Sequence, residues 1–442
     1  MTRVCIVHHV ILAVVAICFV TPNHRGNAQD RNLVHVEHAD SLVGSSIDGV
    51  DYRELIGGVR IRQDNVRISC QRALQNLDAN EVELIGDVVI TQDTLVVKTR
   101  RGMYNGNERV AWSSSGIFLH DGHTTLTAES GRYETRPKRA RVSSRVTVDE
   151  PDAFIRSSNL VYERDSAKAV ATGEVRVRFK GENVLVTGDS VVHYIDRKFT
   201  VFTASPSLWQ IDTTVVRRDS VTMHPDSIRL DTTHITARRM EARRDSVNRF
   251  TATGDVAMLR GDLAARCGET EYRRSDSMLV LRYAPIAWYE QSQITGDSIA
   301  LFLADGTLRR MSVIRNAFSL SQSKPSDTAS VWPEGRFDQT KGKNIHLTFV
   351  DENPDSIRVE ETAVSLYYLF DGNALNGVRR ESGDLIIIRF VDGEAETIHT
   401  IGGVEGTYFP EKFVTGKEET YNLEGFMLRD DKPAREAYPA IE

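Results

Sequence analysis

The chain has 442 residues, of which 40% are hydrophobic and 26% are charged, and its formal net charge is −7. This is an ordinary globular composition, with enough length for one large core or several smaller ones. Basic and acidic residues are mixed along the chain, which argues against a nucleic-acid partner.

The first 28 residues have the features of a secretory signal peptide. Arg3 supplies a positive start, residues 10–20 form an unbroken apolar run, and Pro22 ends that run. Small residues in Gly26-Asn27-Ala28 suit cleavage before Gln29, and the run is short for a bilayer span. We therefore predict an exported chain, with an uncleaved membrane anchor as the alternative. No further long apolar segment follows, which predicts a mature protein that is membrane-proximal but not integral.

An apolar–x–apolar motif, preceded by a small and a polar residue, then recurs every 29 residues. Its first apolar positions are Val59, Val88, Ile117, Val146 and Val175, and the matching second positions are Ile61, Ile90, Leu119, Val148 and Val177. A second column with the same step contains Ile68, Val97, Leu126, Ile155 and Val184, and a third contains Tyr104, Tyr133 and Tyr162. The motif returns at Val256 and Met258. Three columns in register indicate a repeat architecture.

Each copy alternates apolar and polar residues, which is typical of strands with one buried face. Turn residues such as Asn105-Gly106 and Lys180-Gly181 separate these runs. Each copy is thus interpreted as two strands of roughly 8–12 residues. The predicted fold class is all-β, as an elongated folded-over β-jelly roll or a solenoid-like stack of 29-residue two-strand repeats.

The register and the composition predict the domain organisation after the signal peptide. Residues 29–322 form a β-repeat domain, in which the 29-residue register breaks at about 206–250. Residues 323–339, with Ser323-Lys324-Pro325, are typical of a linker, and 340–442 form a second, smaller β module with a C-terminal tail.

Stacking the copies predicts two facing apolar walls, one from the motif and one from the second column. The walls could close into a dry core, or remain open along one edge and hold an apolar ligand. Two residues beyond the second wall lies a column of smaller side chains, namely Cys70, Thr99, Ala128, Ser157 and Val186. These smaller side chains could leave space between the walls for a ligand. The sequence pattern alone does not decide between a dry core and an open groove.

Several segments resemble one known family. The motifs at 86–90, 173–177 and 254–256, together with the segment 126–133, are similar to the OstA-like, LptA-type family of periplasmic lipopolysaccharide-transport proteins. The resemblance covers roughly 40–320 and is fainter in the C-terminal part.

The resemblance implies a folded β-jelly roll in the periplasm, associated with the outer membrane and its assembly. It implies an apolar interior that shields the acyl chains of lipopolysaccharide, without catalysis and without a cofactor. The implied partners are lipopolysaccharide and either other envelope transport proteins with jelly-roll ends or further copies of the chain. The groove residues carried over are Val59, Ile61, Ile68, Val88, Ile90, Val97, Ile117, Leu119, Leu126, Val146, Val148, Ile155, Val175, Val177, Val184, Val256 and Met258.

Other polar and thiol groups give weaker signals. The segment His120-Asp121-Gly122-His123 is a possible metal pair, but it has no further ligand nearby in sequence, so no metal site is predicted. Cys70 and Cys267 could pair in an oxidising compartment, and two separate buried thiols are the alternative.

Two other functions remain as rivals. A structural or adhesive β-repeat surface protein would keep a closed core. A β-solenoid enzyme acting on polysaccharides would need one polar column with a shared chemistry. The polar partners within the motif, Arg60, Val89, Phe118, Thr147 and Arg176, share none.

Overall fold

The computed structural model describes residues 35–434 and 436, except 64–65, 93, 106, 121, 123, 135–136, 152, 164, 181–182, 219–224, 244–247, 305–306, 324–333, 351–352 and 392–393. For residues 212–218 and 225–231 the description is confined to the backbone. The predicted signal peptide lies outside the described residues and stays a prediction. No helix in the described part of the chain is long and apolar enough to cross a membrane.

The chain divides into two compact units, unit 1 up to Pro206 and unit 2 from Ser207 onward. The strands of unit 1 are β1 (His35–His38), β2 (Ser41–Ile47), β3 (Val50–Gln63), β4 (Val66–Asn76), β5 (Glu81–Gln92), β6 (Leu95–Asn105), β7 (Val110–Ser113), β8 (Ile117–His120), β9 (Thr125–Ala128), β10 (Ser130–Glu134), β11 (Arg139–Asp149), β12 (Ala153–Glu163), β13 (Lys168–Phe179), β14 (Val184–Tyr194) and β15 (Phe199–Thr203).

The described residues of unit 2 form further strands and, towards the C-terminal end, one short helix. The strands are β16 (Ser207–Arg218), β17 (Pro225–Thr236), β18 (Arg239–Arg243), β19 (Arg249–Arg260), β20 (Leu263–Arg273), β21 (Met278–Arg282), β22 (Ile286–Tyr289), β23 (Ser292–Thr295), β24 (Ser298–Ala304), β25 (Thr307–Gln322), β26 (Phe337–Val350), β27 (Asn353–Asp371), β28 (Ala374–Val391), β29 (Glu394–Ile401) and β30 (Glu405–Pro410). The helix is α1 (Glu411–Val414), and 3-10 turns occupy Arg274–Asp276 and Glu418–Tyr421.

Within each unit, long strands that directly follow one another along the chain pair antiparallel. β3 pairs with β4, β4 with β5 and β5 with β6, and the same order continues from β11 to β14. One 29-residue copy supplies two strands, as in β5 with 12 residues and β6 with 11. The prediction of an all-β fold is confirmed.

The small and polar residues that open each motif form a corner inside a strand. At Gly57-Gly58 in β3 both φ angles are positive, +79° and +52°, and the pairing with β4 shifts register there. Gly86-Asp87 repeats this in β5, and Gly173-Glu174 repeats it in β13. Two successive left-handed residues bend the strand, and glycine adopts such angles at the lowest cost. Most long strands therefore contribute to two arms. Arm A consists of the part of β3 before the corner and the strand segments paired alongside it, and arm B consists of the part after the corner and the segments paired alongside that part. In unit 2 we name the arms in the same way, with arm A before the corner of β25 and arm B after it.

The two arms of unit 1 pack on each other. One buried cluster joins Leu55 and Leu84 of arm A with Val59 and Val88 of arm B. A second joins Val142 of arm A with arm B residues that include Val146. The sheet is therefore folded over at its corners, and the core lies between the arms.

The division between the units falls at the start of the predicted register break, at 206/207. The strands on either side of the predicted linker, β25 and β26, pair with each other up to Gln322 and Phe337. Residues 324–333 of that linker lie outside the described residues, so the proposed linker and second module stay predictions.

Candidate functional site

The first apolar positions of the motif lie next to the corner, in what we call the corner row. Val59 lies opposite Cys70, Val88 opposite Thr99, and Val146 opposite Ser157. The predicted column of smaller side chains thus alternates with the predicted valines in one row. Val59, Val88, Val146 and Val175 are buried, and Ile117 is half-buried.

The second column does not form a facing wall. In the hairpin of β3 and β4, Ile61 lies directly opposite Ile68, and Ile68 lies opposite Ile90 of β5. Antiparallel pairing places both predicted columns side by side in one sheet, where sequence spacing alone had suggested two opposed surfaces.

The resulting second row takes one residue from each of ten strands. In spatial order it contains Ile61, Ile68, Ile90, Val97, Leu119, Leu126, Val148, Ile155, Val177 and Val186. Every member is a branched aliphatic residue, so the row presents an unbroken apolar strip. Ile61, Ile68, Ile90 and Ile155 are half-buried, and the others are buried.

One predicted residue is displaced from this row by two positions. Val177 of β13 pairs with Val186 of β14, whereas Val184 pairs with Phe179 nearer the hairpin turn. Val177 and Val186 are nine positions apart, whereas the paired row residues of the earlier hairpins, such as Val148 and Ile155, are seven apart, so the 29-residue step no longer matches the pairing. Val186 is buried and Val184 is half-buried.

Arm A supplies the wall that faces these rows. Next to the corner, Leu55 lies opposite Ala73, and Ala73 opposite Leu84. Farther from the corner, the tyrosine column alternates with alanine, since Tyr133 lies between Ala111 and Ala140. A large residue beside a small one lets the two arms approach closely. Sequence reasoning detected the tyrosines but did not place them on the opposing wall.

In unit 2, the two remaining predicted residues occupy equivalent positions. Val256 lies in the corner row opposite Cys267, and Met258 lies in the second row between Ile235 and Ala265. Both are buried. The structure therefore orders all the predicted groove residues except Val184 into two rows in each unit.

Cys70 and Cys267 do not form a disulfide. Cys70 and Cys267 are both free and buried. Burial raises the pKa of both thiols, that of Cys267 to about 12, so neither is a thiolate at neutral pH.

The described histidines form no recognisable metal centre. His120 Nδ1 lies 3.1 Å from Thr125 Oγ1, while Asp121 and His123 lie outside the described residues. His234 stacks on Trp209 at 3.6 Å, and burial lowers its pKa despite the nearby Glu436. Within the described ranges no group of three or more His, Cys, Asp or Glu side chains is arranged to hold a metal.

The strands that carry the second row of unit 1 coincide with a family match. Residues 31–189 match the model of the OstA-like protein family. The predicted resemblance is confirmed for this stretch, which ends within β14, rather than for the predicted range of 40–320.

Among solved structures, the chain is similar to LptH of Pseudomonas aeruginosa, described as the LptA-homologous periplasmic component of the lipopolysaccharide transport device. The sequences are 13% identical, and the TM-score is 0.26, over 34% of this chain and 95% of that one. A likeness this weak supports no conclusion about this chain. No curated protein matches it.

Proposed function

We propose that this protein carries lipopolysaccharide through the cell envelope and holds the acyl chains between the two arms of unit 1, along the second row. The observation that carries the proposal is the unbroken aliphatic strip from Ile61 to Val186. It lies within the OstA-like stretch 31–189.

Such a strip suits a carrier because it attracts acyl chains equally along its length. Each buried methylene contributes about 0.8 kcal/mol. A lipid with several chains is strongly retained, yet no polar residue in the row interrupts its movement. Once the arms have separated, the binding energy is therefore large while the row itself adds little barrier to sliding.

The strip is most accessible near its N-terminal end. Ile61, Ile68 and Ile90 of β3, β4 and β5 are half-buried, whereas Leu119 and Leu126 in the middle are almost fully covered. Acyl chains must separate the arms to reach the middle, and this separation is easiest where the arms already leave the row partly open. We place lipid uptake or release at β3–β5.

The same end offers a surface for a partner. Strands β1 and β2 both pair with β3, and Val36, Leu42 and Val43 on them are exposed. Exposed strand edges recruit further strands by main-chain hydrogen bonding. A jelly-roll end of another envelope transport protein, or a second copy of this chain, is the partner we propose for this edge. The proposed location is the periplasm, near the outer membrane.

Site-specific photocrosslinking tests the carrier function in cells that make lipopolysaccharide. A photoreactive residue of leucine size at Ile61 or Ile155 should form lipopolysaccharide adducts. The matched controls are Arg60 and Arg156, which neighbour these positions in sequence and are exposed. They should give none, because successive strand residues point to opposite faces.

The rival structural or adhesive protein predicts the opposite result. If the arms never separate, Ile61 and Ile155 give no lipid adduct although the variants fold and are exported. That outcome, or equal labelling at Arg60 and Arg156, overturns the carrier function.

A further inference from the structure

The second row changes its chemistry within unit 2. In spatial order it contains Leu208, Ile235, Met258, Ala265, Ala287, Ile294, Ser319, Thr340, Ser365 and Glu381. The aliphatic residues end at Ile294 in β23. From β25 to β28 the same row carries three hydroxyl groups and a carboxylate.

The corner row of these last long strands has almost no side chains. Ala317 lies opposite Gly342, and Ala363 lies opposite Gly383. A Cβ atom on Gly342 would lie 2.5 Å from Cγ1 of Val359, which belongs to arm A. The arms are thus in direct contact at this corner.

Farther from the corner, a hydrogen-bonded polar network occupies the interior. The Glu381 carboxylate accepts hydrogen bonds from Thr400 Oγ1 at 3.1 Å and from the Tyr367 hydroxyl at 3.3 Å. Thr400 belongs to arm A, because it pairs with Ile386 on the arm A side of the β28 corner, whereas Tyr367 and Glu381 belong to arm B. Glu381 therefore joins the two arms with polar contacts.

A second carboxyl lies near this network. Asp338 Oδ1 accepts a hydrogen bond from Ser323 Oγ at 2.6 Å and another from the Tyr368 N–H at 3.0 Å. An acyl chain inserted beside either carboxyl would break polar contacts and offer none in return.

The apolar residues of arm B in these strands point outward instead. Leu320 and Leu366 lie on one row of the outer face, with Gln339 between them, and Phe318 and Tyr368 lie on the same face. All five side chains are buried. In unit 1 the outward positions Arg60 and Arg176 are exposed.

The C-terminal segment, residues 411–434, covers this outer face. Val414 and Leu423 are buried in one cluster with Phe318, Leu366 and Tyr368. The segment thus provides a third layer, which gives the outward apolar side chains a core of their own.

Polar contacts anchor the segment across several strands. Arg336, only 4% exposed, pairs with Glu411 at 2.7 Å and Glu418 at 2.9 Å. Gln339 donates to Asn422 Oδ1 at 2.6 Å and accepts from the Leu423 N–H at 2.8 Å.

Farther along, Gln293 of β23 donates to the Met427 carbonyl at 2.7 Å. Arg266 of β20 donates to the Asp431 carbonyl at 2.6 Å. The segment therefore crosses the strands from β26 to β20.

We propose that strands β25–β28 form a polar stop, in which Ser319, Thr340, Ser365 and Glu381 end the apolar lining and exclude acyl chains. This inference rests on the proposed carrier function, and it sets a limit to the part of the chain that holds lipid. Lipid cannot pass along the interior of β25–β28 and must enter and leave elsewhere.

Photocrosslinking of the purified mature chain with lipopolysaccharide micelles tests the stop. The photoreactive residue replaces Ile155 in unit 1, or Ser319 or Thr340 in unit 2, and all three positions are half-buried. The adduct yield at Ser319 and Thr340 should be at least about ten-fold lower than at Ile155, because polar interiors exclude hydrocarbon. Circular dichroism and the thermal midpoint confirm that each variant is folded.

A second measurement uses the unmodified mature chain. Addition of the same micelles should slow amide hydrogen exchange in β11–β13 and leave β25–β28 unchanged. Equal adducts at Ile155 and Thr340, or slowed exchange in β25–β28, overturn the stop and leave the carrier function standing. No adduct at any of the three positions, with no change in exchange, overturns the carrier function and the stop with it.

Discussion

Arm B of unit 1 and arm B of strands β25–β28 have the same backbone plan, but their apolar side chains lie on opposite faces of the sheet. Both begin after a corner of two residues with positive φ, at Gly57-Gly58 in β3 and at Arg315-Asn316 in β25. In unit 1 the residues that follow turn their aliphatic side chains between the arms. In β25 the inward residue after the corner is Ala317, and Phe318 points outward.

This difference teaches that the corner does not decide which face of the sheet is apolar. In β25–β28 both faces of arm B are covered, and the apolar one is the outer face, which packs on the C-terminal segment. Arm A covers the inner face of unit 1, whereas residues 411–434 cover the outer face of β25–β28. A long strand can therefore keep its pairing while its hydrophobic side changes, provided that the chain supplies a new covering layer.

The largest expected effect on stability comes from truncating one buried leucine in arm B of unit 1 and one in strands β25–β28. Leu366 points outward in unit 2 and Leu119 inward in unit 1, and each is at most 2% exposed. Leu366→Ala and Leu119→Ala should each lower the free energy of unfolding by about 2–5 kcal/mol, through lost burial and the cavity left behind. Chemical denaturation, followed separately for the two units, measures both losses.

The exposed outward position of unit 1 is the control for this pair. Arg60→Ala should change the free energy of unfolding by no more than about 0.5 kcal/mol. A comparably small loss for Leu366→Ala would show that the outer face of β27 is not a core, and the comparison would fail.

A smaller effect is expected from adding one carbon atom at the closed corner. Gly342→Ala places a Cβ atom against Val359 without requiring a left-handed backbone, so the strain is steric. We expect a loss of about 1–3 kcal/mol in the free energy of unfolding of unit 2, as for other overpacked cores.

The matched variant is Gly44→Ala in β2, where a new Cβ atom would meet nothing within 4 Å. It should be neutral within about 0.5 kcal/mol, since surface substitutions of this kind rarely cost more. The thermal midpoints of Gly342→Ala and Gly44→Ala distinguish a steric clash at the corner from a neutral substitution. A neutral Gly342→Ala would mean that the arms are not in contact at that corner.

The smallest effect concerns the pH dependence of unit 2. Burial raises the pKa of Asp338 to about 6, although the hydrogen bonds from Ser323 and Tyr368 oppose this shift. The folded state then binds a proton more tightly than the unfolded state, whose carboxyl titrates near 4. The stabilising contribution of the protonated carboxyl is present below pH 4 and is lost as the pH rises through about 6.

The variant Asp338→Asn keeps an acceptor for both hydrogen bonds and removes the titration. The difference in unfolding free energy between wild type and variant should change by about 1–2 kcal/mol between pH 4 and pH 7, in favour of the variant at the higher pH. Denaturation at four or five pH values measures this difference. A difference that is independent of pH would contradict the raised pKa and the enclosed position of Asp338.

Much of the fold could be predicted from local pattern. The alternation around Val88 and Ile90 predicted strands, and the Gly86-Asp87 pair marked a fixed place in each copy. The residue most clearly misplaced was Val184, because the β13–β14 hairpin has two more residues between its paired row positions, and sequence spacing does not show which residues pair. The opposing wall was missed for the same reason, although the regular tyrosine column was a signal that could have located it.

The sequence by itself determined the all-β class, the 29-residue unit and the residues with aliphatic side chains, because alternation and turn chemistry act over a few neighbouring residues. Only the tertiary structure decided which rows face each other, where the interior turns polar and which face of β25–β28 is covered. Those features depend on contacts such as Leu423 with Gln339 and Met427 with Gln293. Such partners lie far apart along the chain. Their burial therefore depends on the folded structure, whereas alternation is visible in a few neighbouring residues.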